Sequence, residues 1–479
     1  MMLLTRKSDL SPNFSSDVQR FLYGKEYRAE ELPFSDQVIK EHLNKGYVTM
    51  RPAITAYNAH FLDLFSYRKK WQCNRCGNRD QESFASCSCA RCRKECVYCR
   101  HCLTMGIVRA CSRLVRWVGP APAASAPKSD GSELCTWTGT LSEEQNAAAF
   151  ALDHALAHGD SFLVWAVTGS GKTEIIYKAI DRALREGHHV ALATPRTDVV
   201  RELLPRLRSV FPTVSISGLY AGSEEAYPEA QLVISTAHQL IHYANCFDCI
   251  FIDEVDAFPF HYDPMLAFAV QKAAKPGAPI GYLTATPPEA LKSAYLKGKL
   301  KGVKITRRYH GHPLPVPRFH WVGNWTRSIQ KGQLPKPLLD WLLTKKQQAR
   351  QLFLFVPTVT MVRELTETIQ KEGFVRTAGV HAEDPDRHTK VNDFRNGKIR
   401  ILVTTTILER GVTVPGVEVA VLGADDRVFD TCALVQISGR VGRSSASPSG
   451  DILFFHNGKT LAMVRARRQI EQMNKEGGF

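Results

Sequence analysis

The sequence predicts an α/β protein: two tandem doubly wound parallel-sheet units, preceded by a small cysteine-rich metal module and an N-terminal region. Three observations carry this. From about residue 135, apolar runs alternate with amphipathic stretches, the pattern of strands and helices that build a parallel sheet covered on both faces. The alternation runs through twice, with a Pro- and Gly-rich join, YHGHPLPVP, at 309–317. Nine of the 13 cysteines fall between Cys73 and Cys111, ahead of both series.

Taken in order, residues 1–70 mix aromatics among charges and carry no chemistry that can be assigned. Residues 71–116 hold the cysteines and, with nine Lys/Arg against three Asp/Glu, a local charge of +6. Residues 117–134 include GPAPAASAPKSDGS, whose Pro, Ala, Gly and Ser without periodicity read as a linker. The first α/β unit, 135–309, takes its strands from FLVWAV, HVALAT, Leu232–Ser235, Cys249–Ile252 and Ile280–Leu283. Helices are expected from Lys172 to about Glu186 and over Val199–Arg208. The second unit, 310–460, has LFLFV, IRILVTT, VEVAVLG and DILFF as strands, with a helix running to about Lys371. A basic helical tail, 461–479, follows.

The chain of 479 residues carries a net charge of +15 and 44% hydrophobic residues. That length suits roughly three domains, and the charge suggests an acidic partner, nucleic acid first and anionic lipid second. The N-terminus MMLLTRKSDL lacks an apolar leader segment, and no run of about 18 apolar residues suggests a membrane span. The cysteines are therefore expected to be reduced, cytosolic and metal-binding.

Three motifs point to a nucleoside triphosphate. AVTGSGKTE, 166–174, follows the strand FLVW and precedes a helix. Thr168, Gly169, Ser170 and Gly171 would cradle phosphates, Lys172 would reach the β/γ-phosphates, and the Thr173 hydroxyl would ligate Mg²⁺, with Glu174 in the same loop. Ala166 stands where the full eight-residue pattern wants glycine. CIFIDEVD, 249–256, ends an apolar strand in acids: Asp253 for Mg²⁺ and Glu254 to polarise the attacking water. QISGRVGRS, 436–444, offers Gln436, Arg440 and Arg443 from the second unit. The two arginines, three apart, are expected to face the same way and act across a cleft on the γ-phosphate. The nucleotide is read as ATP.

In the cysteine stretch, Cys73-x-x-Cys76 and Cys99-x-x-Cys102 are paired knuckles, each with a glycine soon after, suited to a tetrahedral Zn²⁺. Cys89-x-x-Cys92 and Cys96-x-x-Cys99 compete with them. A second ion held by Cys87, Cys89, Cys92 and Cys96 stays open. So little apolar content predicts that this stretch needs metal to fold.

Across about residues 137–445 the chain resembles superfamily 2 helicases and translocases. The resemblance rests on TWTGTLSEEQ, the phosphate loop, ATPR at 193–196, STAHQL at 235–240, DEVD, TAT at 284–286, TTTILERGVTVP at 404–415 and QxxGRxGR. It implies two RecA-like domains and an adenine contact at Gln145. It also implies single-stranded backbone contacts at Thr194, Arg196, Thr236, His238, Thr404, Thr405 and Thr406, which would grip phosphates without reading bases.

DEVDAFPF (253–260), HGHPLPVP (310–317) and YCRHCLTMG (98–106) look like the ComFA family, late-competence ATPases of bacterial natural transformation. That resemblance favours Cys73, Cys76, Cys99 and Cys102 as zinc ligands. It implies a cytosolic ATPase stimulated by single-stranded DNA, peripheral at the inner face of the membrane, that draws DNA through the uptake channel. Its implied partner is a phosphoribosyltransferase-like ComFC protein, and an oligomer is compatible with it. PriA, the replication-restart helicase, is the main rival. Its second motif usually carries Glu and His where this chain has Val255 and Asp256, and its cysteines interrupt the motor rather than precede it. A third reading, from another class, is a zinc-dependent nucleic-acid-binding adaptor with a vestigial motor; the complete set Lys172, Asp253, Glu254, Arg440 and Arg443 argues against it. Phe258 and Phe260, after the acidic motif, are either a base-stacking loop or core residues.

Overall fold

The computed structural model describes residues 13–57, 70–122, 132–223, 230–260, 263–348, 350–412 and 414–479. The N-terminal decapeptide read as leaderless and the middle of the linker, 123–131, lie outside them. The chain packs as two units. One comprises Met1–Thr138, Asp153–Phe162 and Lys178–Tyr282; the other comprises Gly139–Leu152, Leu163–Tyr177 and Leu283–Phe479.

In the first unit, short strands build a small N-terminal domain: β1 (Glu26–Arg28), β2 (Val48–Pro52), β3 (Ile54–Tyr57), β4 (Lys70–Cys73), β5 (Phe84–Ser88), β6 (Glu95–Cys99), β7 (Val108–Arg109) and β8 (Arg113–Trp117). They form sheets in the order β1-β8-β2, β3-β4 and β5-β6-β7, all antiparallel. The last strand thus returns to close the sheet that the first two begin, and the cysteine stretch is an excursion from that sheet. Helices Ser16–Leu22 and Asp36–Asn44 each start at a serine, Ser15 and Ser35, whose hydroxyl accepts the backbone N–H three residues on. Their apolar faces close on the sheet through Val18, Leu22, Ile39, Val48, Val115 and Trp117.

This domain docks on helix Pro264–Ala273 and the segment before it. Glu26 lies 3.3 Å from Lys272 and receives a bidentate pair of bonds from Arg51 at 2.8 and 2.9 Å. Burial alone would raise the Glu26 pKa, but Lys272 and Arg51 hold it below the ordinary glutamate range. Tyr27 stacks on His242 at 5.1 Å.

The following strands are β9 (Phe162–Ala166), β10 (Val190–Thr194), β11 (Ile216–Leu219), β12 (Leu232–Thr236), β13 (Cys249–Asp253), β14 (Ile280–Thr284) and β15 (Lys301–Ile305). Their sheet order is β11-β12-β10-β13-β14-β9-β15. Every residue of β9, β10, β12 and β13 is buried, as a parallel sheet covered on both faces requires. The parallel register sets Thr194, at the end of β10, beside Thr236, at the end of β12. The helix expected from Lys172 to about Glu186 is seen as two pieces, Lys172–Ile175 and Tyr177–Arg185. Ile176 between them stays in the right-handed region at φ −82°, ψ −12°.

The second α/β domain uses β16 (Arg318–Trp321), β17 (Leu352–Phe355), β18 (Thr377–Val380), β19 (Ile401–Thr404), β20 (Glu418–Leu422) and β21 (Ile452–His456) in the order β16-β21-β20-β17-β19-β18, with parallel pairings. Its core joins Leu352, Leu354, Val403, Ala420, Leu422 and Phe455 to helices bearing Leu338, Leu342, Leu365 and Ile369. The two tandem doubly wound parallel sheets expected from the sequence are present. The doubly wound order places the loops after β9 and β19 at the carboxyl ends of strands, where such sheets bind ligands.

Candidate nucleotide and metal sites

The phosphate loop turns out of β9 with Gly169 at φ +80° and Gly171 at φ +71°. Only glycine enters that left-handed region without strain, so the tight curl depends on these two residues. A Cβ on Gly171 would also meet the Gln145 amide at 2.4 Å. Gln145 is buried and engaged at both ends: its Nε2 donates to the Ser170 carbonyl at 2.7 Å, and its Oε1 accepts from the Ser142 N–H at 2.8 Å. Here it braces the loop, with one amide N–H and one carbonyl lone pair left over. Lys172 Nζ lies 3.3 Å from the Ala166 carbonyl and 3.5 Å from that of Val167.

Segment 436–443 comes very close to this loop. A Cβ added to Gly439 would lie 2.1 Å from the Thr168 hydroxyl oxygen. Val167, Thr168, Val435, Ser438 and Gly439 line one cleft together with Leu314 and Pro315 of the Pro-rich join. Gln436 is buried in helix Thr431–Ser438. The two arginines are engaged differently. Arg440 is only 2% exposed and donates to the carbonyls of Glu409 (3.0 Å) and Val412, holding the TTTILERGV segment. Arg443 lies half-buried with its Nε donating to the Gly439 carbonyl at 3.0 Å.

The sequence reading missed Arg308. It is 2% exposed, and its Nη1 donates to the carbonyls of Val441 and Gly442 at 2.8 and 2.5 Å. A Cβ on Gly169 would touch its Cδ at 3.8 Å, and the next residue, Tyr309, donates its N–H to the Gly169 carbonyl at 3.1 Å. Its buried Nε and Nη2 have no protein partner among the described residues. Burial and the nearby Arg443 charge both press its pKa down. Two guanidiniums near a phosphate loop, one with orphan buried donors, suit an anion. The signal lay in ITRRYHGHP, but a pair of arginines before a Pro-rich join reads as a solvated surface.

In the other unit, Asp253 is the last residue of β13, and its Oδ1 accepts the Glu254 N–H at 2.9 Å. Glu254 sits at φ +57°, a conformation that non-glycine residues rarely adopt and that recurs at functional sites. Of the two phenylalanines, Phe258 is 72% exposed and Phe260 only 7%.

The threonines chosen for a nucleic-acid backbone divide. Thr194 and Thr404 are fully buried at strand ends, and Thr236 is nearly so. Arg196, His238, Thr405 and Thr406 are half-buried and lie beyond the strands. Burial holds the His238 pKa below its ordinary value, so the ring is neutral at neutral pH and suited to hydrogen bonding.

The cysteines gather into two groups, each with its four sulfurs within 4.8 Å of one another: Cys73, Cys76, Cys99, Cys102 and Cys89, Cys92, Cys96, Cys111. All four thiols of the first group are buried, with Cys73–Cys102 and Cys76–Cys99 sulfurs 3.8 and 3.7 Å apart. Thiolates about 2.3 Å from a tetrahedral Zn²⁺ would stand about 3.8 Å from one another, so this donor set fits zinc. The Asn78 amide approaches the Cys99 sulfur at 3.6 Å, an outer-shell contact that steadies a ligand. The four-residue alternative with Cys87 is corrected. Cys87 lies on β5 outside the second group, and the fourth thiol comes from Cys111, on the turn before β8.

Comparisons with known proteins match three stretches of the chain. Residues 8–116 match the family described as "Competence protein ComFA N-terminal domain", 139–289 match "Type III restriction enzyme, res subunit", and 334–445 match "Helicase conserved C-terminal domain". Competence protein ComFA of Bacillus subtilis (strain 168) is 42% identical over 464 residues, 97% of this chain and 96% of that protein. ComFA of Streptococcus pneumoniae (strain ATCC BAA-255 / R6) is 38% identical over 383 residues, 80% of this chain and 87% of that protein. Among solved structures, S. cerevisiae Dbp5 bound to RNA and ADP BeF3 aligns at a TM-score of 0.53 and 17% identity over 70% of this chain and 88% of that one. Mycobacterium smegmatis helicase Lhr bound to ssDNA and AMP-PNP aligns at 0.51 and 18%, over 71% of this chain and 48% of that one. These two likenesses speak to the fold alone, two tandem RecA-like domains. Among the described residues no helix is long and apolar enough to cross a membrane. With a helicase-type ATPase core behind a cysteine-bearing N-terminal domain, and with this degree of identity along nearly its whole length, the chain belongs to the ComFA family of competence proteins.

Proposed function

We propose that this chain is an ATP-driven single-stranded DNA translocase that draws DNA inward during natural transformation. The observation that carries the reading is the approach of Gly439 to Thr168. It joins the arginine-bearing segment to the phosphate loop inside one packed unit. Lys172 and the amides of Thr168–Thr173 take the β/γ-phosphates. Thr173 and Asp253 are the proposed Mg²⁺ ligands, and Glu254 orients the attacking water. Mg²⁺ supplies charge neutralisation on the phosphates. Arg443 and Arg308 face the developing γ-phosphate charge, while Arg440 transmits it: its guanidinium ties the same segment to 409–412, adjoining Thr405 and Thr406. Loss of the γ-phosphate then alters the hold of one segment on both loop and strand-binding residues, which is how hydrolysis moves DNA. Arg196, His238, Thr405 and Thr406 are the backbone contacts; Thr194, Thr236 and Thr404 support them from below. Cys73, Cys76, Cys99 and Cys102 hold a structural Zn²⁺.

The expected partners are single-stranded DNA, a ComFC-type protein and the membrane DNA-uptake channel. The placement is cytoplasmic and peripheral at the inner membrane face, and self-association into an oligomer is a further expectation. The test is ATP hydrolysis with and without single-stranded DNA, together with DNA uptake and survival after replication damage in cells carrying Lys172→Ala. Stimulated turnover, and loss of uptake with survival intact, is the expected result. The opposite pattern in cells would assign the motor to replication restart. Negligible turnover unchanged by the substitution would leave only an adaptor.

A further inference from the structure

The second cysteine group has a feature that proximity alone does not explain. In the first knuckle, Cys73 N–H donates to the Asn78 carbonyl at 2.9 Å, and Gly77 N–H donates to the Cys73 carbonyl at 2.9 Å. Gly77 is at φ +75°. At Cys89 the same pattern repeats: Cys89 N–H to the Lys94 carbonyl at 3.1 Å, and Arg93 N–H to the Cys89 carbonyl at 2.8 Å. Arg93, in the place of Gly77, sits at φ +55°. A left-handed conformation costs a non-glycine residue about 1–2 kcal/mol. The chain adopts it at an arginine, and the resulting turn wraps the Cys89 and Cys92 thiols around one point.

The other two thiols arrive from separate elements. Cys96 lies on β6 and is 4% exposed. Cys111 sits on a turn held by the Ala110 N–H to Val97 carbonyl bond at 2.8 Å and the Ser112 N–H to Arg109 carbonyl bond at 3.0 Å. That turn brings the Cys111 sulfur to 3.8 Å from that of Cys89, the separation of two ligands on one tetrahedral zinc. Arg91, Arg93 and Lys94 surround the knuckle in sequence and would offset the negative charge of a tetrathiolate.

We propose that Cys89, Cys92, Cys96 and Cys111 form a second tetrathiolate Zn²⁺ site, distinct from the one at Cys73, Cys76, Cys99 and Cys102. Its work is to fasten the β5–β6 hairpin to the start of β8, and so to the N-terminal sheet. The same junction is reinforced through Glu30, which accepts from Arg91 at 2.8 Å and from Ser112 at 2.9 Å. Cys92 and Cys111 are half-exposed, whereas every thiol of the first group is buried. The second ion is therefore the faster to exchange. On binding, the four thiols release their protons to solvent and each sulfur donates a lone pair to the metal; nothing is oxidised.

The test uses the full-length protein purified under reducing conditions. Zinc is counted by native mass spectrometry and by elemental analysis in the wild type, Cys111→Ser and Cys76→Ser. Two zinc ions in the wild type and one in Cys111→Ser is the expected result. A zinc-specific chromophoric chelator should then withdraw one equivalent from the wild type at least about tenfold faster than the other. One ion in both the wild type and Cys111→Ser, lost in Cys76→Ser, would remove the second site and leave the first intact. One ion in the wild type that survives Cys76→Ser but not Cys111→Ser would support the second site and sink the first. Peptide mapping that finds a Cys89–Cys111 disulfide in the reduced, metal-replete protein would overturn the proposal whatever the variants do. Should Cys111→Ser fail to fold, two ions in the wild type support the second site, and one ion that is lost in Cys76→Ser removes it.

Discussion

The phosphate cleft and the cysteine module are built in opposite ways. The cleft collects Gln145, the loop around Lys172, Arg308 and Gly439 from positions almost 300 residues apart, and the protein contributes mainly donors to it: backbone N–H groups, an ammonium and guanidiniums. The module collects eight thiols from within 40 residues of chain, between Cys73 and Cys111, and contributes only groups that bind cations as anions. The first can exist only after a large apolar core has fixed its parts. The second gathers its thiols within a short, polar stretch, and the proposed metal would hold its turns. What each region gathers in excess defines the charge of what it binds.

The contrast can be broken most severely at the first cysteine set. Cys76→Ser, or stripping the metal with a strong chelator, should unfold the module, because structural zinc contributes apparent binding energy on the order of 10 kcal/mol to such small domains. Amide hydrogen exchange over residues 70–117 and ATP hydrolysis, each followed on heating, should then show two separate transitions. A single unchanged transition would show that the module folds on apolar contacts after all.

Lys172→Ala tests the cleft as a pure donor site. Loss of one preorganised donor to a developing phosphate charge should reduce kcat by about 10³-fold with little change in melting temperature. A comparable fall in stability would mean that the lysine is needed for the fold.

The joint between module and motor comes next. Glu26→Gln leaves Lys272 buried without its counter-charge and should cost about 3–5 kcal/mol. Since the folded pKa of Glu26 is depressed, its stabilisation is complete above the ordinary glutamate pKa and disappears as pH falls through the lower folded value. Wild-type denaturation midpoints should therefore drop on acidification more steeply than those of the variant. Parallel curves would remove Glu26 from the account.

Arg308→Met is the smallest and sharpest test. Loss of one charge-assisted contact is worth about 1.5–3 kcal/mol, or roughly 10- to 100-fold in kcat/KM. Arg308→Lys should restore charge but not the fork that also holds Val441 and Gly442, and so recover KM more than kcat. Equal loss in both variants, with a lowered melting temperature, would make the residue a purely structural tie.

Much of this was legible beforehand. The alternating apolar runs identified nine of the 13 strands of the two large sheets, since a strand buried on both faces must be apolar throughout; the four missed, β11, β15, β16 and β18, are the edge strands. The glycines at 169 and 171 announced their turn because no other residue enters it cheaply. Less legible were features with no local signature. Nothing in RLVRW says that β8 returns to pair with β1 and β2. Nothing in the sequence marks Arg93 for the left-handed backbone that Gly77 takes in the first knuckle. That the Gln145 amide braces the phosphate loop has no signature in its own neighbourhood. Thr194 and Thr404 were chosen by motif, yet strand ends in a parallel sheet are buried when helices cover them.

By itself, then, the order of residues determined the two parallel sheets, the phosphate loop and the acidic strand end, since periodicity and backbone sterics act over a few neighbours. The tertiary structure alone decided which four thiols meet, that Arg308 joins the arginine segment at the loop, and which hydroxyls reach the surface. Those outcomes depend on contacts between distant segments, and their geometry is fixed only when the cores have packed.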